Sequence, residues 1–314
     1  MYKNLRKIPT LNMSRDEWLS HRQKSIGGSD AAAIIGLNPF ASAYSVWADK
    51  LGKIPPKEDT ESMRLGRDLE DYVAKRFGEK TGKKVRRENH IICNPDYPFA
   101  HANVDRVIIG EDAGLECKTT SSLNMKQFKS GEYPDTYYVQ CVHYMAVTGC
   151  KKWYLAVLVF GKGFYTFEIE RDEDEIRALM ESEAEFWKLV EAKTPPMTDG
   201  SEATTKTISA LYPESNEESA NLMAYESELT KYMNMTASIK HLEKCRDEAA
   251  NKIKAFLGEI SGGESECFKV SWKTVSKSTF DVNRFAAEHQ DIDLSAYYKN
   301  TTYRTFKVTE RKKA

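Results

Sequence analysis

At 314 residues the chain is long enough to bury a full core, and 46 Lys and Arg against 47 Asp and Glu leave a formal charge of −1. Bulk attraction to polyanions is thereby excluded, so any nucleic-acid contact needs a local basic surface. No run of about 18 apolar residues occurs, the N-terminal MYKNLRKIPTLNMSRDEW has no apolar leader segment, and the six cysteines form no C-x-x-C pair, so the expectation is a cytoplasmic protein with reduced thiols and no membrane span.

Ser14 ahead of Arg15-Asp16-Glu17-Trp18-Leu19 is an N-cap followed by acids, which predicts a helix over 15–23. Gly27-Gly28-Ser29-Asp30-Ala31-Ala32-Ala33-Ile34-Ile35-Gly36 reads as a glycine turn, an N-cap and a short packed helix that Asn38-Pro39 terminates. A helix at 43–51 carries Tyr44, Trp47 and Leu51. Over 61–80, Leu65, Leu69, Tyr72, Val73 and Phe77 form one apolar stripe at helical spacing. Strands are expected at 84–92, 102–109 and 114–120, a helix at 135–148 after Tyr133-Pro134, a hairpin of Trp153–Phe160 and Phe164–Glu170 about Gly161-Lys162-Gly163, and a helix at 172–192. Residues 194–213 read as a linker, which divides the chain into a domain of 1–193 and an extension of 214–314. That extension combines a long helical pattern at 215–258 with β-like runs at Cys267–Val275 and Tyr303–Val308 and a short helix at 281–288. The long helix suits a coiled-coil arm or an intrachain hairpin, its stripe being broken at Thr236 and Ser238. From Phe268 onward the balance is basic, and this end could meet DNA, a partner or solvent.

The chemistry concentrates at Asp105 and, eleven residues on, Glu116-Cys117-Lys118. Period-two geometry puts Glu116 and Lys118 on one face of their strand and Leu115 and Cys117 on the other. A four-residue turn at 110–113 would pair Ile109 with Gly114 and Asp105 with Lys118, on one face; a five-residue turn would send Asp105 to the opposite face. In the first arrangement Asp105, Glu116 and the Cys117 backbone carbonyl are candidate oxygen ligands for Mg2+, which keeps several waters and needs few protein ligands. Lys118 is then placed to activate water, and Glu70 to reach the same cleft from its helix. An isolated D…ExK triplet is common by chance and is then only a solvated strand end. Ser29 is equally an ordinary N-cap, Gly27-Gly28 lacks the lysine spacing of a nucleotide P-loop, and His101 and His143 read as core or supporting histidines, since Mg2+ prefers oxygen. Tyr137 and Tyr138 suit packing or base stacking.

Glu70 in Leu65-Gly66-Arg67-Asp68-Leu69-Glu70, Asp105 in His101-Ala102-Asn103-Val104-Asp105, Glu116-Cys117-Lys118, and Gln140 with Tyr144 as Q-x-x-x-Y resemble the restriction-endonuclease-like nuclease core. With the Gly27–Gly36 segment in front, residues 12–192 resemble the YqaJ-type phage recombination nucleases, relatives of lambda exonuclease. The resemblance implies an α/β fold with a mixed central sheet flanked by helices, plus the helical and β C-terminal extension. It implies a Mg2+-dependent exonuclease, with Mn2+ able to substitute, that resects linear duplex DNA 5′→3′ and leaves 3′ overhangs. DNA ends, a RecT-type single-strand annealing protein and further copies of the chain, as a ring-shaped trimer, are its implied partners. By position, Arg22 and Ser29 match residues that hold a 5′ phosphate, and Gln140 and Tyr144 match residues near the DNA strand and the metal. Val104 departs from the small residue or proline usual before the first aspartate. The cysteine spacing does not fit the iron–sulfur cluster of some related nucleases. Two rivals stand beside this reading: an endonuclease or repair nuclease on the same core, and a non-catalytic DNA-binding module.

Overall fold

The structure, a computed structural model, describes residues 4–56, 59–121 and 128–311. Its contacts divide the chain into two units, residues 1–212 and 213–314.

The first unit opens with β1 (Arg6–Pro9), α1 (Arg15–Gln23), β2 (Ile26–Gly27), α2 (Gly28–Ile34), α3 (Ala43–Lys50) and α4 (Glu61–Thr81). Local chemistry sets these boundaries. Ser14 and Glu17 close a reciprocal capping box on α1, Ser42 caps α3, Thr60 caps α4, and Gly82 ends α4 in the left-handed region. Only the second half of the α4 stripe is buried: Val73 and Phe77 are fully covered, whereas Leu65 and Tyr72 stay exposed.

Next come β3 (Val85–Arg87), β4 (His90–Cys93), β5 (Ala100–Asn103), β6 (Arg106–Ile108) and β7 (Ala113–Thr120), then α5 (Asp135–Thr148), β8 (Lys152–Val159), β9 (Gly163–Glu170), α6 (Glu173–Glu191) and α7 (Glu202–Leu211). The expected strand at 84–92 is two strands in different sheets, and the one at 102–109 breaks at Val104-Asp105, as β5 and β6 also belong to different sheets. One sheet has the order β1-β4-β5-β2; the other, β3-β6-β7-β8-β9, is antiparallel except for the β7–β8 pair. This second sheet is the mixed sheet expected, with helices on both faces. Val73, Ala74 and Phe77 of α4 pack against Ile108, Leu115, Tyr154 and Ala156 on one face. Val142 and Met145 of α5 pack with Trp153, Leu155 and Val157 on the other. Each fully buried side chain of this kind contributes about 1.5–3 kcal/mol.

Residues 194–213 are not a plain linker. Ser201 caps α7, which lies against α3, and buried Thr204 donates from Oγ1 to Ser42 Oγ at 2.8 Å. A largely polar helix docks here through buried Thr204 and Thr207, with Leu211 alone joining the apolar cluster around Trp47 and Phe186.

The second unit consists of α8 (Glu226–Leu257), preceded by a 3-10 turn at Met223–Tyr225, a hairpin of β10 (Gly262–Glu264) and β11 (Lys269–Ser271), α9 (Val282–Glu288) and a further 3-10 turn at Ser295–Tyr297. The expected strand at Tyr303–Val308 is absent among the described residues; β10 and β11 pair only with each other. Among the described residues no helix is long and apolar enough to cross a membrane.

Candidate active site

The register of β6 on β7 places Arg106 opposite Leu115 and Val107 opposite Gly114. It is two residues off the expected pairing, because the turn runs through 109–112 with Gly110 at φ 88°. A shift of two preserves the face. Asp105 therefore falls opposite Glu116, and its Oδ2 accepts from the Cys117 amide at 2.8 Å. In extended backbone the N–H and C=O of one residue point to the same neighbour, so the Cys117 carbonyl opens on that side too.

Glu116 and Lys118 project toward α5. The Lys118 ammonium lies 2.7 Å from Glu116 Oε1 and donates to Gln140 Oε1 at 2.8 Å, with the Tyr137 ring centroid 5.3 Å away. The Gln140 amide donates in turn to Glu116 Oε1 at 2.8 Å and to the Tyr144 hydroxyl at 2.9 Å. One buried glutamine thus sets the positions of the carboxylate, the ammonium and the phenol. Helical spacing alone puts Gln140 and Tyr144 on one face.

Electrostatics mark the same point. Burial, then Glu116 and Glu70, push the Asp105 carboxyl well above the usual carboxylate range. Burial disfavours the Lys118 charge, but Glu116 and Asp105 outweigh it and hold its pKa above the ordinary lysine value. Burial, with Asp105 and Glu116 adding to it, also raises the Cys117 thiol. Glu116 Oε2 is buried without a hydrogen-bond partner. Among the described residues no three Asp, Glu, His or Cys side chains form a metal cage. Two carboxylates and a carbonyl, one carboxylate oxygen unsatisfied and the other acid buried beside two further carboxylates, nevertheless suit a hard cation that retains water.

Glu70 comes to this point from the other face of the sheet. Arg106, opposite Leu115, faces α4 and holds Glu70 through Nη1 and Asp71 through Nη2, the latter at 2.6 Å. Glu70 and Asp105 line one cleft of about 190 Å³ together with Trp18, His90, Asn103 and Arg106.

The Arg22 and Ser29 candidates are also joined: Arg22 Nη2 donates to Ser29 Oγ at 2.7 Å. Ser29 is not the N-cap. Gly27 is, and the Asp30 carboxylate reaches back to its amide at 3.0 Å, which leaves the Ser29 hydroxyl to Arg22. Two residues with no distinct sequence signal complete this corner. Lys50, with 1% of its side chain exposed, donates to Asp30 Oδ2 and to the Arg22 carbonyl, both at 2.7 Å. Burial opposes the Asp30 charge, but Lys50 and Arg22 hold its carboxyl far below the ordinary range. Asp30 and Lys50 stood twenty residues apart as lone charges in packed helices; a buried acid and base each demanding a partner is the one clue that could have joined them.

The two corners meet through α2 and α5. A Cβ on Gly28 would stand 2.7 Å from the Tyr144 ring and 3.2 Å from Gln140 Cγ. Behind them His143 is fully buried, bound to Glu183 at 2.8 Å and to the His101 carbonyl at 2.9 Å, while His101 Nδ1 meets Ser25 Oγ at 2.8 Å. Both histidines are supporting residues.

Comparison with known proteins converges on one group. The family model described as a YqaJ-like viral recombinase domain matches residues 17–151. An uncharacterized protein YqaJ of Bacillus subtilis (strain 168) is 39% identical over 305 residues, 95% of each chain. The crystal structure of LHK-Exo in complex with dAMP superimposes with a TM-score of 0.50 at 21% identity, over 57% of this chain and 94% of that one. A second crystal structure, of the same alkaline exonuclease from Laribacter hongkongensis, gives 0.49 with the same identity and coverage.

Proposed function

The chain belongs to the YqaJ-like viral recombinase family, and from that premise we propose that it is a Mg2+-dependent deoxyribonuclease that resects linear duplex DNA from its ends, 5′→3′, leaving 3′ single-stranded overhangs. The observation that carries this reading is the shared face of Asp105, Glu116 and Lys118, with one Glu116 oxygen buried and unsatisfied. A dAMP complex of a structure with this fold is consistent with it.

Asp105, Glu116 and the Cys117 carbonyl would hold the cation, which when bound lowers the pKa of water and offsets charge growing on the phosphate. Asp105 is kept in place by the Cys117 amide. Lys118 stands where it can orient the attacking water or stabilise charge on the phosphoryl oxygens; Glu116 and Gln140 fix its ammonium. Glu70, clamped by Arg106 at the cleft, adds negative charge beside Asp105 and orders water there. Tyr144 holds the far side of Gln140. Arg22 and Ser29 receive a terminal 5′ phosphate: a guanidinium and a hydroxyl already together are an anion site. An end-binding corner packed against the cleavage corner favours an exonuclease over an endonuclease on the same core. A prophage or phage setting, a RecT-type annealing partner and a homotrimer belong to the same proposal.

The test uses linear duplex labelled at the 5′ or the 3′ terminus, and a covalently closed circle, each with Mg2+. The 5′ label should leave first as mononucleotide, the 3′ label should persist, and the circle should stay intact. Cutting of the circle would establish the endonuclease rival; no cutting of any substrate, with DNA still bound, would establish the binding module.

A further inference from the structure

Nuclease chemistry as placed above uses nothing beyond Tyr144, yet the second unit carries a dense and unusual surface. Its charge is split along the sequence: residues 213–267 hold six Lys or Arg against eleven Asp or Glu, whereas 268–314 hold ten against five. Within the basic half, cations follow aromatics directly. Phe268-Lys269, Trp272-Lys273, Tyr298-Lys299, Tyr303-Arg304 and Phe306-Lys307 are five of the chain's eight aromatic-to-cation steps, gathered into 40 residues. An even spread along 314 residues would place one there.

These side chains are not core. Phe268 is 75% exposed, Tyr298 62% and Tyr303 77%, and Trp272 is exposed as well. Exposing several large aromatic rings forfeits burial that a folded chain ordinarily takes. Lys273, Lys277, Lys299 and Lys307 are exposed and, among the described residues, have no acidic partner. The segment is nonetheless attached to its unit: β11 pairs with β10, the Trp272 amide donates to the Ser261 carbonyl at 2.7 Å, and Phe306 stands edge-on to Tyr232 at 5.5 Å.

We propose that residues 268–311 form a binding surface for single-stranded nucleic acid, on which Phe268, Trp272, Tyr298 and Tyr303 stack against bases and the neighbouring lysines meet the phosphates. Sequence-tolerant stacking on exposed rings beside a basic track is how a single strand is held without reading its bases. A second copy of the chain fits less well, because lysine is depleted from the cores of protein–protein interfaces and here directly follows four of the eight rings. Duplex fits less well too, since its bases keep their faces stacked and hidden. The choice of ligand rests on the proposed function, in which resection leaves a single strand for this surface to hold.

Binding is measured on the full chain in EDTA, so that no cutting intervenes, by anisotropy of a labelled oligo-dT of about 30 nucleotides and of a matched duplex. Trp272→Ala/Tyr298→Ala/Tyr303→Ala should weaken single-strand affinity by about tenfold or more and duplex affinity by less than about twofold. Lys273→Gln/Lys299→Gln/Lys307→Gln, which spares every ring, should lower the slope of log affinity against log salt by about 2. Parent-like single-strand affinity and slope in both variants would overturn the proposal. So would parent-like affinity in the aromatic variant accompanied by a change of mass in light scattering, which would make this a surface between copies. Release of label from duplex with Mg2+ is read on the same proteins: unchanged digestion with no effect on single-strand binding sinks this surface alone. Loss of single-strand binding in the variants, together with a parent protein that does not digest duplex, sinks the nuclease reading alone.

Discussion

Arg22 can serve a terminal phosphate only if its charge is not already spent on Asp30, and Lys50 is the residue that decides this. The Lys50 ammonium sits 2.7 Å from the Asp30 carboxylate, against 3.5 Å for Arg22. Lys50→Met leaves Asp30 to the guanidinium and draws it off Ser29. We expect a loss of about 2–3 kcal/mol in stability, below the cost of a fully buried broken pair because part of Asp30 is exposed. We also expect the ratio of cleavage rates on 5′-phosphorylated and 5′-hydroxyl ends to fall toward one, and Asp30→Asn added to Lys50→Met to restore part of it. An unchanged ratio would remove Lys50 from the end-binding corner. His101 carries a second prediction at this scale. Burial, with Lys50 and Arg22 nearby, depresses its pKa to about 3, against about 6.5 unfolded. The neutral ring is the folded form, so its contribution is complete above about pH 6.5 and is lost as pH falls toward 3, about 2 kcal/mol of it by pH 5. For His143 burial opposes the charge but Glu183 outweighs it and raises the pKa, so its contribution is full below about pH 6.5 and is lost only as pH rises above it. The melting temperature should therefore drop between pH 6.5 and 4, and His101→Gln should flatten that slope; an equal slope in both proteins would remove His101 as its source.

Among the elements, the α2–α5 contact joins the proposed end-binding corner to the proposed cleavage corner, and it depends on a missing side chain. Gly28→Ala drives a methyl into the Tyr144 ring and Gln140. Because Gln140 holds both Glu116 and Lys118, cleavage should fall by about tenfold or more while the overall fold, followed by circular dichroism, persists; full activity would show that the two helices have slack there. Helices were legible from the sequence where caps and stripes coincide, as at Ser14 and along Val73–Phe77. Strand allegiance was not, because the locally paired β4 and β5 join a sheet whose outer strands, β1 and β2, come from the distant N-terminal segment. α7 was missed for want of an apolar stripe, although its cap, Ser201, was in plain view. The face shared by Asp105 and Glu116 was legible only as a parity of register, and the turn arrived two residues from where it was expected without changing that parity. Glu70 lines the cleft with Asp105, but its approach from the opposite face depends on Arg106, which no local pattern singles out.

For the molecule as a whole, one compact unit brings the Arg22–Ser29 corner and a carboxylate–lysine corner together, and a second unit exposes aromatic and basic residues. We propose above all that the first unit's carboxylates, with a divalent cation, cut DNA. It is tested most directly by release of 5′-terminal label from linear duplex, titrated with Mg2+, comparing the natural chain with Asp105→Ala. Release by the natural chain should depend on Mg2+ and be abolished by EDTA, and the variant should lose at least about a hundredfold at unchanged melting temperature. Equal release by the two proteins would contradict it.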